Sequence, residues 1–186
     1  IYCDYVFEKN FNFSNKYINI HLDEKWFSKY YYKDFTDINP NELQLSKFIS
    51  KIINNSTEKY DLVITSGLKK TEIDKYFFNN YEKTSENIYT KKIHEKKIIF
   101  IANTTFNDIE NIIKNSSLLI CCEGAVSHVS HFFSVKTIAF YEKKRLEHIK
   151  FWTSHMENCD LYERKSMNDL LDDNHFYLKI NKNLIK

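Results

Sequence analysis

Residues 118–141 read LLICCEGAVSHVSHFFSVKTIAFY: an apolar run, an acidic turn with a glycine, a short histidine-bearing segment and a second apolar run. Leu118–Cys122 is short and wholly apolar, and Thr137–Tyr141 is rich in β-branched and aromatic side chains. Both have the length and composition of strands buried on two faces of a parallel sheet. Glu123 and Gly124 interrupt the first run where a strand leaves its sheet, and a helix is expected from Ala125 to Phe133. In an open α/β sheet the carboxyl ends of the strands form the ligand crevice, and the following helix aims its free N–H groups into it. Glu123, Gly124, Ala125 and His128 are therefore the first candidate binding residues.

The same alternation extends outward. Tyr17–Leu22 (YINIHL) is a β-rich run that ends in the charged turn Asp23-Glu24-Lys25-Trp26. Asn39-Pro40-Asn41-Glu42 offers an N-cap, a proline at the first helical position and a nearby glutamate. Behind it stand Leu43, Leu45, Phe48, Ile49, Ile52 and Ile53 at helical spacing. Residues 61–65 (DLVIT) form the second expected strand, stopping at Ser66-Gly67, and 71–80 a short helix with Ile73, Phe77 and Phe78 inward. Residues 83–97 are the most polar stretch, expected as an exposed loop before a strand at 98–102. Asn103-Thr104-Thr105 closes that strand and caps a helix with Ile109, Ile112 and Ile113 on one face. Further on, 143–152 and 166–171 read as helices and 176–180 as a strand or an extended tail. Strands alternating with helices through short turns predict an α/β fold: a Rossmann-like parallel sheet flanked by helices. One domain is expected over 1–186, with its core at about 17–152 and a C-terminal helical tail over 153–186.

Composition narrows the function classes. With 42% hydrophobic residues, including 15 Phe and 13 Tyr, the chain can bury one substantial core. Its 27 Lys and Arg oppose 25 acidic residues, a charge of +2, which is too balanced to argue for a nucleic-acid partner. Tyr30-Tyr31-Tyr32 amid lysines could stack on bases, but an aromatic-rich chain produces such runs readily. No run approaches the ~18 apolar residues of a membrane span and no signal-peptide pattern opens the chain, so a cytoplasmic location is expected. The chain begins at Ile1 without Met and reads as part of something longer. Cys3, Cys121, Cys122 and Cys159 match neither a disulfide framework nor a paired zinc motif. Neighbours on a strand face opposite ways, so Cys121 and Cys122 read as small buried fillers.

The turn after the 118–122 strand joins a carboxylate, small residues that permit close backbone approach, and a helix N-terminus. A phosphate placed there gains roughly 0.3–1 kcal/mol from the helix dipole. Glu123 would repel a phosphate set directly on it, so the carboxylate suits sugar hydroxyls and leaves a diphosphate to the amides and His128. Capping of the helix is the competing role for Glu123. Lys25, at the carboxyl end of the first strand, could reach the same diphosphate; a solvated surface lysine is its alternative. His128, His131, Glu123 and Cys122 could be drawn as a metal cluster, but no zinc-binding spacing is present and Phe132-Phe133 suggest a helix packed on the sheet, so no metal is expected. P-loop, G-x-G-x-x-G and G-x-S-x-G patterns are all missing from the sequence.

These residues, in this order, resemble the C-terminal domain of the family 9, heptosyltransferase-like glycosyltransferases of GT-B fold. The family's acidic residue, two small residues, two variable positions and His correspond to Glu123-Gly124-Ala125-Val126-Ser127-His128. Its acidic-Lys-Trp turn corresponds to Asp23-Glu24-Lys25-Trp26, and its base-lining segment to Thr104-Thr105. The likeness runs over about 17–152. Ala125 replaces the usual second Gly, and His131, Phe132, Lys136 and Glu142 also depart from the pattern. The resemblance implies the donor-binding half of an inverting transferase, moving a heptose-like sugar from a nucleotide diphosphate to a lipopolysaccharide or other surface-glycan acceptor. Donor-binding residues would be Lys25, Thr104, Thr105, Glu123, Gly124, Ala125 and His128, with no cofactor beyond the nucleotide-sugar substrate. It places the catalytic base, the acceptor site and any peripheral attachment to the cytoplasmic face of the inner membrane on an N-terminal domain outside these residues. The rival expectation is a non-catalytic Rossmann-like module for a protein partner or nucleotide.

Overall fold

The computed structural model describes residues 13, 15–27, 38–56, 60–67 and 71–185; Tyr30, Tyr31, Tyr32 and Cys3 lie outside them. One eight-stranded sheet carries strands β1 (Tyr17–Leu22), β2 (Asp61–Ser66), β3 (Glu82–Ser85), β4 (Ile88–Ile93), β5 (Lys96–Ile101), β6 (Leu118–Cys122), β7 (Thr137–Tyr141) and β8 (Cys159–Glu163). The spatial order is β3-β4-β5-β2-β1-β6-β7-β8. Six strands are parallel and β3 and β4 run antiparallel at one edge. Renumbered among themselves, the parallel strands read 3-2-1-4-5-6, the doubly wound order whose switch point lies between its first and fourth members. Here those members are β1 and β6, so the crevice falls between the turns at Asp23 and Glu123.

Seven α-helices and two short 3-10 turns, Glu24–Trp26 and Lys143–Arg145, accompany the sheet among the described residues: α1 (Glu42–Asn55), α2 (Ile73–Asn80), α3 (Phe106–Lys114), α4 (Ala125–Phe132), α5 (Leu146–Thr153), α6 (Met167–Asp172) and α7 (Asn174–Leu184). On β6, Leu118, Ile120 and Cys122 pack into the larger core and Leu119 and Cys121 into a smaller one. The period of two thus divides the strand between two helical layers, and the adjacent cysteines do face apart, both buried.

Several local expectations change. Asn41, not a residue before Pro40, caps α1: its side chain accepts from the Gln44 N–H, and Gln44 reaches back to the Asn41 N–H, each at 2.9 Å. Leu43 and Phe78 turn outward, and Tyr76 takes the buried place on α2. Residues 83–97 are not a loop but most of an antiparallel hairpin at the sheet edge, where Lys91, Lys92 and Glu82 stay exposed while Tyr89 and Ile93 pack on the core. A charged edge strand is one way a sheet avoids pairing with another chain. Residues 176–180 are helical within α7, not a strand, and Phe176 is fully buried against Phe48, Phe140 and Tyr162. β8 was not anticipated, and Phe132 points to solvent instead of the sheet.

Candidate functional site

β1 ends at Leu22, and Asp23 caps a single 3-10 turn, Glu24–Trp26, by accepting the Lys25 N–H at 3.1 Å. Trp26 is driven fully into the core, where its Nε1 donates to the His21 carbonyl at 3.0 Å. The anchored indole leaves Lys25 directed across the sheet. Its Nζ donates to the Glu123 main-chain oxygen at 2.5 Å and stands 4.0 Å from Asp23 Oδ2. One hydrogen bond therefore closes the switch point between β1 and β6.

Glycines flank this turn on both sides, and they are the only two in the chain. A Cβ on Gly124 would lie 2.1 Å from Lys25 Nζ, and one on Gly67 would lie 3.0 Å from Asp23 Cβ. Gly124 also adopts φ 147 and ψ −157, a backbone region essentially restricted to glycine. Its N–H and carbonyl are both engaged by the Ser127 hydroxyl, at 3.2 and 2.7 Å. Glu123 consequently does not cap α4; its carboxylate meets Arg145 Nη1 at 3.4 Å.

Burial sets the protonation of the floor. His21, hydrogen-bonded through Nδ1 to Thr65 Oγ1 at 3.0 Å, is pushed down to about 4, first by burial and then by the Lys25 charge. Burial pushes the Asp23 carboxyl up to about 6 although Lys25 opposes the shift. Beneath them Arg164, at the end of β8 and 6% exposed, donates to the Lys25 carbonyl and to Cys122 Sγ. The arginine fixes the backbone of the turn from below, so Lys25 is held at both ends.

The structure thus brings Lys25, Glu123, Gly124 and Ala125 together. Two clefts border their junction: one of about 200 Å³ lined by Asp23, Lys25, Gly67, Ala125 and Val126, the other of about 220 Å³ lined by Glu123, Gly124, His128, Arg145 and Trp152. His128 belongs to the second cleft and is exposed, its ring stacked on that of His155 at 5.7 Å. Thr104 and Thr105 stand apart in role. The buried Thr104 hydroxyl donates to the Ser66 carbonyl at 3.2 Å, and Thr105 caps α3 by accepting the Asp108 N–H at 3.1 Å. Arg145, Arg164 and Ser127 were not singled out from the sequence. The run Lys143-Lys144-Arg145 after a buried strand was the available signal for the first; nothing local marks Arg164. Among the described residues no group of three His, Cys, Asp or Glu side chains is placed to hold a metal ion.

Comparison with solved structures places this architecture among known proteins. The UDP-GlcNAc 2-epimerase of Methanocaldococcus jannaschii superimposes with a TM-score of 0.53 at 13% identity, over 92% of this chain and 39% of its own. Its complex with UDP-GlcNAc and UDP gives 0.52 at 14% identity over the same shares. A Listeria monocytogenes protein provisionally named UDP-N-acetylglucosamine 2-epimerase gives 0.54 at 11% identity, over 95% of this chain and 43% of its own. At such identities the likeness is one of fold, a Rossmann-like domain, and the chain spans about two fifths of those proteins. No protein-family model and no curated protein matches the chain.

Proposed function

We propose that the chain is the nucleotide-sugar-binding half of a sugar-processing enzyme, with an inverting glycosyltransferase as its activity. The observation that carries the reading is the lysine-to-carbonyl bridge at the switch point: a cation, a glycine-only turn and a helix N-terminus converge where a doubly wound sheet takes its ligand. The known binding of UDP-GlcNAc by a protein of the same fold supports it. Lys25 and the α4 amides would hold the diphosphate and stabilise it as it departs, while Glu123, oriented by Arg145, would accept from sugar or ribose hydroxyls. The base that deprotonates the acceptor would lie outside these residues, with a heptose-like donor and a lipopolysaccharide or surface-glycan acceptor as the expected substrates. A second reading, inversion at a sugar carbon without transfer, is favoured by the activity named for the solved relatives in fold.

Calorimetry with UDP, ADP and their sugar conjugates tests the site. Saturable binding is expected, weakened about tenfold or more by Lys25→Ala, the order of one charge-assisted hydrogen bond. Glu123→Ala should weaken the sugar conjugates more than the free diphosphates. Absence of binding, or affinity unchanged in both variants, overturns the assignment. NMR of the sugar C2 centre during incubation separates transfer from epimerisation.

A further inference from the structure

The residues that enter four neighbouring strands meet at the amino ends of the sheet, opposite the crevice. Lys16 precedes β1, Ser117 precedes β6, Lys136 precedes β7 and Asn158 precedes β8, and the parallel ladder sets the four side by side. Hydrogen bonds fix their backbones: Ser117 N–H donates to the Tyr17 carbonyl at 2.9 Å, the Lys136 carbonyl accepts from Leu119 N–H at 2.9 Å, and the Asn158 carbonyl accepts from Thr137 N–H at 2.8 Å. With Lys114 at the end of α3 and Ser134 just beyond α4, they line a cleft of about 440 Å³. That volume is within the range of small-molecule sites. Tyr60, Val135 and Leu184, all buried, supply an apolar wall.

No Asp or Glu is among the described residues that line this cleft. A slightly larger cleft of about 480 Å³, beside the edge hairpin, holds four lysines but mixes them with Asp61, Glu82 and Glu95. The carboxylate bonded to the wall of the first, Asp160, accepts from Asn183 at 3.0 Å and pairs with Lys179 at 3.4 Å, so its charge is already offset. Lys136 is half-buried, and neither it nor Lys114 meets a carboxylate among the described residues; the Lys114 ammonium lies over the Phe133 ring at 5.7 Å. The C-terminal ends of α3, α4 and α7 also border the cleft, and offsetting them is the competing role for its lysines. Each such end is worth about half a negative charge, together roughly one and a half, against three ammoniums. A surplus of positive charge remains, beside serine hydroxyls and an apolar wall.

We infer that this cleft binds a small organic phosphate, its dianion held by Lys16, Lys114 and Lys136 with the Ser117 and Ser134 hydroxyls, and its organic part laid against Tyr60, Val135 and Leu184. The crevice lies at the other end of the same strands, so the inference stands whatever the crevice binds. NMR titration of the full chain with phenyl phosphate and with inorganic phosphate tests it. Saturable shifts are expected at the amides of Ser117, Ser134, Lys136 and Asn158. Phenyl phosphate should bind about tenfold more tightly than inorganic phosphate, the order of partly burying one ring. Lys136→Gln keeps most of the stem and removes the charge; it should weaken binding about tenfold, and adding Lys114→Gln should weaken it further. The same double variant should leave the response of Gly124 and Ala125 to UDP unchanged, and Lys25→Ala should leave phenyl phosphate binding intact, so the two sites stand or fall separately. Shifts confined to Gly124 and Ala125, shifts that do not saturate, or equal affinity for the two phosphates would each overturn the inference. So would a lower melting temperature in the Gln variants with phosphate affinity unaltered, which assigns the lysines to the helix ends alone.

Discussion

Gly124 and Asp23 show how much of the crevice is decided by single residues. Gly124→Ala meets two obstacles: a backbone conformation that costs a residue with a Cβ on the order of 1–3 kcal/mol, and a methyl group in the place of the Lys25 ammonium. The long lysine can move aside, which relieves the clash but breaks the bridge to Glu123. The variant should therefore unfold at lower urea and also lose nucleotide affinity to about the level of Lys25→Ala. Asp23 and His21 make opposing contributions to stability with pH. His21 titrates near 6.5 when unfolded and about 4 when folded, so the unfolded chain binds the extra proton between those values. Its contribution is complete above 6.5 and is lost as pH falls through 4. For Asp23 the folded value of about 6 exceeds the unfolded 3.8, so the folded chain holds the extra proton and stability declines as pH rises toward 6. Asp23→Asn keeps an oxygen for the Lys25 N–H and removes that decline. Melting temperatures at pH 4, 5, 6 and 7 should show the variant gaining on the wild type up to about pH 6 and holding the gain above it. The His21 ring signals should titrate only near pH 4 in NMR.

At the scale of elements, legibility followed burial. β1, β2, β6 and β7 are buried almost throughout, and they declared themselves, β6 and β7 as short apolar runs and β1 and β2 by their β-rich composition. β8, CDLYE, is an edge strand with one buried residue, and β3 has none, so neither leaves a hydrophobic signature. α7 is different: Phe176, Tyr177, Ile180 and Leu184 recur at helical spacing, but that face becomes visible only over the whole eleven-residue span, not over a five-residue window. The helix that looked like a tail contributes to the main core. Phe176→Ala should cost about 3–5 kcal/mol, the range for a buried aromatic, in urea titrations followed by fluorescence. In the site, Glu123, Gly124 and Lys25 were legible because turn chemistry is local. Arg164 was not, because its partners lie forty-two and 139 residues away along the chain.

For the whole molecule, the doubly wound order makes the two sheet halves interdependent. β8 pairs with β7, Arg164 passes beneath the crevice to Lys25, and α6 and α7 pack against α1. A chain ending at residue 158 loses these together and would expose Phe48, Phe140 and Tyr60. It should lack cooperative unfolding and near-ultraviolet dichroism even though the remaining elements are those most evident in the sequence. The segment expected as a C-terminal helical tail, 153–186, thus contributes Tyr162, Leu170, Phe176 and Ile180 to the main core. The outer edge is equally informative: a hairpin bearing lysines closes one side of the sheet, so growth by strand pairing is disfavoured there.

In a sequence of 186 residues with two glycines, both abut the same three-residue turn, one from each neighbouring strand. The turn thus sits in a slot with no clearance on either wall, and a saturation library of the chain should display two isolated intolerant columns, 67 and 124. Coupling between them would be indirect, transmitted by the lysine turn they both confine, so a shorter side chain at position 25 should remove the clash at 124 but not the strain of its backbone, while leaving 67, which presses on the backbone side of Asp23, as strict as before.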